Sequence, residues 1–162
     1  MFPEAARGVR ERGKGYNGSM FRFYKPIEVR FSDLDVLGHV NNARYLTYME
    51  QARVAYFRML NLRKPDEPRV GFILASAHID FRRPILIDSQ VRVGVRVTRL
   101  GNKSFTMAYR LEDGVSGEVF ATAETVQVSF DYANQRSIPL PDAWRQAMAS
   151  FEGIPPFEES RA

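Results

Sequence analysis

The sequence predicts an α+β fold in which an antiparallel sheet packs around one long helix. Apolar residues recur at helical spacing over residues 43–62, and four apolar runs of strand-like length and spacing follow. Short turn-forming segments join these four runs, which favours antiparallel pairing between neighbours. Because the chain has 162 residues, one domain is long enough to bury the core that these elements form.

The first predicted element is a strand over residues 21–31, in which apolar side chains nearly alternate. Pro26 interrupts the alternation, and proline within a strand favours the edge of a sheet. Residues 32–42 follow as a turn-rich segment of Asp, Gly and Asn. The helix over residues 43–62 comes next, with Asn41 or Asn42 as its predicted N-cap.

The remaining elements are strands over residues 70–81, 90–100, 103–113 and 117–132, then a short helix over 142–150. The early helix is apolar over more than one stripe, so it needs a broad apolar face to cover it. We therefore expect the strands to wrap around it. An open sheet leaves unpaired backbone groups on its outer strand, which predicts a homodimer or homotetramer that continues the sheet.

Composition sets the domain limits and excludes several kinds of site. Residues 1–20 are predicted to be an N-terminal extension, residues 21–150 the folded domain and residues 151–162 a C-terminal tail. The chain has no cysteine and two histidines, so we expect no metal site and no cysteine nucleophile. Zero cysteine is typical of a cytoplasmic protein, and no apolar run reaches the roughly 20 residues of a membrane helix.

A cluster of polar residues lies immediately before the predicted long helix. Asp33, Asp35, His39, Asn41 and Asn42 fall within ten residues. A helix N-terminus presents unpaired N–H groups that stabilise an anion, and a nearby carboxylate can act as base or nucleophile. The same residue types also form ordinary turns and N-caps. The residues by themselves leave both interpretations open.

The run F-S-D-L-D-V-L-G-H-V-N-N-A-R-Y resembles the hotdog-fold thioesterase superfamily, most closely its 4-hydroxybenzoyl-CoA thioesterase-like acyl-CoA thioesterases. The resemblance extends over about residues 21–145. It implies a hotdog fold, with an antiparallel sheet of five or six strands around one long central helix. It also implies hydrolysis of an acyl-CoA or aroyl-CoA to free acid and CoA. A non-catalytic acyl-CoA-binding protein and an acyl-ACP thioesterase are the alternatives.

The resemblance also implies roles for individual residues. Asp35 matches the family's catalytic carboxylate, a general base or nucleophile, and Asn42 matches the residue whose backbone N–H forms the oxyanion hole. His39 matches a histidine of plant acyl-ACP thioesterases. Glu50 lies where another branch places its catalytic glutamate, so it is the reserve candidate. For Asp33 we expect a turn or capping role.

The same resemblance implies that Lys103, Ser104 and Arg136 bind the CoA phosphates, because the family places such residues near a hairpin and its last strand. CoA is part of the substrate, so no separate cofactor is expected. No nucleic-acid or membrane partner is expected either.

Overall fold

The computed structural model describes residues 20–62 and 69–157. Within these ranges the chain forms one antiparallel sheet and two α-helices. Its elements are, in order, β1 (Phe23–Ile27), a 3₁₀ turn (Phe31–Asp33), α1 (Asn42–Met59), β2 (Val70–Phe81), β3 (Val91–Leu100), β4 (Ser104–Asp113), β5 (Val119–Asp131), β6 (Arg136–Ser137) and α2 (Asp142–Glu152). The predicted extension lies, apart from residue 20, outside the described residues, as does the tail from residue 158.

The strands lie in the order β1-β3-β4-β5-β2, and β6 extends the sheet beside the end of β5. Helix α1 packs over β1 and β3. Its buried stripe consists of Tyr45, Tyr48, Met49, Ala52 and Tyr56. A long helix enclosed by an antiparallel sheet is the architecture that the sequence predicts, and Pro26 lies in an edge strand as expected.

Two predicted boundaries differ from the structure. The first strand ends at Ile27, and the chain then turns into the 3₁₀ segment, so the predicted strand over 21–31 is too long. The alternation of apolar residues concealed this turn, which exposes the Phe31 side chain. At the other end, α2 continues to Glu152, past the predicted end of the short helix at residue 150.

The Glu152 carboxylate joins three elements inside the core. Its Oε1 accepts hydrogen bonds from the Tyr56 hydroxyl at 2.6 Å and from the Val97 N–H at 3.1 Å. The Arg96 Nε lies 3.8 Å from the other oxygen. Burial raises the pKa of the Glu152 carboxyl, and burial together with this carboxylate raises the pKa of Tyr56. One side chain of α2 thereby connects α1 to β3.

Replacing Tyr56 with Phe tests this connection. Tyr56→Phe removes one donor from a buried carboxylate, so the free energy of unfolding should fall by about 1–3 kcal/mol. Urea denaturation measures it. Tyr132→Phe is the control, since Tyr132 is exposed and its hydroxyl bonds the Phe72 carbonyl at 3.2 Å. It should change the same free energy by less than about 0.5 kcal/mol. Equal losses in the two variants would contradict the importance of the buried connection.

Strand β2 is a border of the sheet and the most exposed of its long strands. Apolar side chains remain in contact with solvent along it, among them Ile73, Leu74 and Phe81. Leu46 and Val54 on α1 are exposed as well. Across residues 20–62 and 69–157, neither helix has the length and apolarity that crossing a membrane requires.

Candidate active site

The segment between β1 and α1 is a small closed loop. Leu34 and Val40 pair as an isolated antiparallel bridge, and inside it the Asp35 N–H donates to the His39 carbonyl at 2.8 Å. The Gly38 N–H donates to the Asp35 carbonyl at 3.1 Å, which closes a four-residue turn. Gly38 has a φ of +79°, a conformation that glycine adopts without steric cost. The sequence D-x-x-G therefore determines where Asp35 lies.

This turn orients the Asp35 carboxylate. Its Oδ1 accepts hydrogen bonds from the N–H of Leu37 at 2.8 Å and of His39 at 3.3 Å. Its Oδ2 accepts no hydrogen bond from any residue that the structure describes, and the side chain is half-buried. One oxygen is thus held by the turn while the other remains available. His39 contributes to this arrangement through its backbone.

Asp33 has the structural role that the sequence predicts. Its Oδ2 accepts hydrogen bonds from the Arg30 N–H at 3.0 Å and from the Tyr48 hydroxyl at 2.8 Å, and Oδ1 lies 3.5 Å from the Arg44 Nε. Its carbonyl accepts from the Asn41 N–H at 2.8 Å. Burial and the Asp33 carboxylate raise the pKa of Tyr48. Asp33 therefore attaches both ends of the loop to α1.

The start of α1 distinguishes the two candidate caps. Asn41 is the N-cap, and its side-chain oxygen accepts a hydrogen bond from the Ala43 N–H at 2.9 Å. Asn42 is the first helical residue, and its N–H donates to no group among the described residues. The Asp35 backbone is paired with His39, three residues before Asn42. A carboxylate oxygen and an unpaired N–H therefore lie at the same helix end.

Substituting the two asparagines separately tests this assignment. Asn41→Ala removes the capping oxygen, so the free energy of unfolding should fall by about 0.5–2 kcal/mol. Asn42→Ala keeps its backbone N–H and should cost less than about 0.5 kcal/mol. Thermal and urea denaturation of both variants measure the difference. A larger loss in Asn42→Ala would mean that its side chain, and not that of Asn41, caps the helix.

Glu50 lies apart from Asp35 within the protomer. It is eight residues after Asn42, or roughly 12 Å along the helix axis. Its carboxylate is 65% exposed and lies 3.8 Å from the Arg53 guanidinium. The structure therefore does not bring this reserve candidate to the loop in the same chain.

Lys103 and Ser104 lie at the opposite end of the sheet from Asp35. The Lys103 carbonyl accepts from the Ser129 N–H, and Ser129 pairs with Phe72 at the start of β2. Arg136 pairs with Asp131 at this same end. Tyr45, near the start of α1, instead contacts Phe81 at the other end of β2. The nine residue-to-residue steps from Phe72 to Phe81 span roughly 30 Å, so one protomer does not bring the two predicted sets together.

A cavity of about 670 Å³ lies between α1 and the β5-β2 side of the sheet. Its apolar lining includes Leu46, Phe57, Phe72 and Trp144. The lining begins one turn after Asn42, so the cavity follows α1 away from the helix start.

One wall of this cavity is polar, and sequence reasoning missed it. Three alternate side chains of β5 are buried, Thr125, Gln127 and Ser129, and Gln127 among them lines the cavity. The Tyr109 hydroxyl accepts hydrogen bonds from the Thr125 hydroxyl at 3.2 Å and from Arg53 at 3.4 Å. The run T-V-Q-V-S-F carried the signal, since polar and apolar residues alternate in it. In this strand the polar face is the one that turns inward.

The family model of the thioesterase-like superfamily matches residues 29–148. The chain belongs to this superfamily. The match includes the Asp35 loop, α1 and strands β2 to β6. It confirms the predicted resemblance, the hotdog fold and the predicted class of enzyme, a thioester hydrolase.

Individual relatives agree with the family match. A thioesterase from Thermus thermophilus, solved in complex with coenzyme A and zinc, is 40% identical, covers 83% of this chain and 97% of its own, and has a TM-score of 0.73. The long-chain acyl-CoA thioesterase FadM of Escherichia coli is 28% identical over 75% of this chain and 93% of its own length. A 1,4-dihydroxy-2-naphthoyl-CoA hydrolase of Nostoc punctiforme is 27% identical over 70% of this chain and 78% of its own length.

Among the described residues of our chain, no group of three or more His, Asp or Glu side chains is placed to hold a metal ion.

Proposed function

We propose that this protein hydrolyses acyl-CoA or aroyl-CoA thioesters to the free acid and CoA, with Asp35 as the catalytic carboxylate. The proposal is supported by the presence of an available Asp35 Oδ2 and an unpaired Asn42 N–H at the same end of α1. The chemistry needs no metal or separate cofactor. We assign the reaction to the cytoplasm, as the absence of cysteine suggests.

Asp35 and Asn42 have complementary tasks in this reaction. As general base, Asp35 accepts a proton from water while the water oxygen attacks the thioester carbonyl carbon. As nucleophile, it would attack that carbon itself, and water would then hydrolyse the resulting anhydride. In either case the carbonyl oxygen becomes negatively charged, and the Asn42 N–H at the positive end of α1 stabilises it. Breakage of the C–S bond releases CoA, whose sulfur recovers a proton.

Replacing Asp35 with Asn tests the catalytic assignment. Asp35→Asn keeps the size of the side chain and removes its basicity, so kcat should fall at least about 100-fold. Release of free thiol from a panel of acyl-CoAs measures it. Asp142→Asn, an exposed carboxylate at the start of α2, is the control and should retain wild-type kcat. Full activity in Asp35→Asn combined with loss of activity in Glu50→Gln would move the catalytic role to Glu50.

The proposal includes binding of the CoA phosphates by Lys103, Ser104 and Arg136 of a second protomer. These residues and Asp35 lie at opposite ends of the sheet in one chain. If β2 pairs antiparallel with β2 of a second copy, the two-fold axis reverses one protomer relative to the other. The phosphate-binding end of one copy then lies beside the Asp35 end of its partner. The exposed apolar side chains along β2 would be covered by the same contact.

Mixing two inactive variants tests whether the sites are shared. Asp35→Asn and the double variant Lys103→Glu/Arg136→Glu should each have low activity, for different reasons. After random reassociation about half of the dimers are mixed, and each has one intact site of two. Activity should therefore return to about a quarter of the wild-type value. Each variant reassociated with itself is the control. Sedimentation showing an active monomer, or no recovery in mixed dimers, would contradict the shared site.

A further inference from the structure

The most unusual feature of the cavity is the charged Arg53 side chain, which α1 contributes to its lining. The Arg53 side chain is only 12% exposed. Its ion-pair partner is the Glu50 carboxylate, which lies 3.8 Å from the guanidinium and is 65% exposed. One N–H of the guanidinium bonds the neutral Tyr109 hydroxyl at 3.4 Å. No carboxylate of a described residue lies within hydrogen-bond distance of Arg53.

A guanidinium in this position favours an anionic ligand. Removing a charge from water is costly unless an anion that accepts its hydrogen bonds lies close by. Arg53 has five N–H groups, and those that bond no described residue are still accessible to solvent, so a ligand in the cavity can accept hydrogen bonds from them. Its planar fork matches the two oxygens of a carboxylate. Glu50 is on a flexible, largely exposed side chain, so it can turn into water when a ligand anion enters.

The surroundings favour an acyl group as the source of that anion. Arg53 lines the cavity together with apolar side chains, among them Leu46, Phe57 and Phe72, which suit a hydrocarbon chain. Gln127 lies in the same wall, is 1% exposed, and donates from its amide to the Thr125 hydroxyl at 3.1 Å. Any anion bound by Arg53 lies close to Glu50, and a carboxylate brings a single negative charge there, whereas a nucleotide phosphate brings several.

We infer that Arg53 determines specificity for an acyl group that carries its own carboxylate, remote from the thioester. The inference rests on the proposed function, because it treats the cavity as the acyl pocket of the Asp35 site. Arg53 takes no part in bond breakage. It binds the far end of the acyl chain, and the hydrogen bonds among Thr125, Gln127 and Tyr109 hold the hydroxyl that Arg53 contacts.

Matched substrates test this inference. Suberoyl-CoA and octanoyl-CoA have the same chain length and differ in the terminal carboxylate. The wild-type kcat/KM should be about 10- to 100-fold higher for suberoyl-CoA, the range expected for hydrogen bonds to a charged group. Arg53→Met should abolish this preference, and Arg53→Lys, which keeps the charge without the planar fork, should give an intermediate ratio. Arg58→Met, an exposed arginine on the same helix, is the control and should keep the wild-type ratio.

Each alternative has a distinct outcome. A structural role for Arg53 would lower both kcat/KM values equally and leave the ratio unchanged, which would overturn the inference. Binding of a CoA phosphate would also lower both values, and the loss would disappear with acyl-pantetheine substrates. A preference for ω-hydroxyoctanoyl-CoA over suberoyl-CoA would show that the pocket takes a neutral oxygen.

Failure of the proposed function is recognised separately. It would appear as no thiol release from any acyl-CoA by the wild type. In that case thermal shifts with the non-hydrolysable thioether analogues of suberoyl-CoA and octanoyl-CoA still test the pocket. A larger shift with the suberoyl analogue, lost in Arg53→Met, supports carboxylate binding, and equal shifts refute it.

Discussion

The buried carboxylate of Asp33 is the constraint on which the arrangement of the site depends. It accepts hydrogen bonds from the backbone at the entrance of the loop and from a tyrosine hydroxyl on the second turn of α1. The loop that presents Asp35 is otherwise exposed at its tip, where Val36 and Leu37 face solvent. The hydrogen bonds inside the loop orient the Asp35 carboxylate, and the Asp33 anchor attaches that loop to the start of the helix. Of the two aspartates in this short motif, Asp33 is therefore structural, and Asp35 is the one proposed for the chemistry.

Much of the fold follows from local patterns in the sequence. The change from a helical to a strand-like period at residue 70 separates α1 from the sheet, and the Gly101-Asn102 and Gly114 to Gly117 turns locate the hairpins. The Asp35 loop was also predictable, because Asp and Gly at this spacing form a turn whatever the rest of the chain does. Which of Asn41 and Asn42 caps the helix was not predictable, since both are good caps. The position of the cap depends on where the bridge between Leu34 and Val40 ends.

The polar wall could not be predicted from the sequence. Alternating polar and apolar residues predict a strand with one polar and one apolar face, but they do not predict which face is buried. In β5 the inward face carries Thr125, Gln127 and Ser129, and the Ser129 hydroxyl has no hydrogen-bond partner in the described part of the chain. Burying such groups stabilises a fold less than burying the valines of the other face would. The protein gives up stability here, and one of these polar side chains, Gln127, lines the cavity beside α1. Local sequence propensities do not predict these buried polar side chains, because they contradict the rule that the core is apolar.

The strand order has a consequence for biosynthesis. Strand β2 pairs with β5, and about 40 residues separate the end of one from the start of the other. At a translation rate of about 5–20 residues per second, β2 leaves the ribosome several seconds before its partner strand exists. During that interval α1 and β2 expose the apolar surfaces that later enclose the cavity, and loop closure over this distance slows their pairing. The nascent chain therefore exposes this apolar surface until β5 is complete, and that is the interval in which aggregation is favoured.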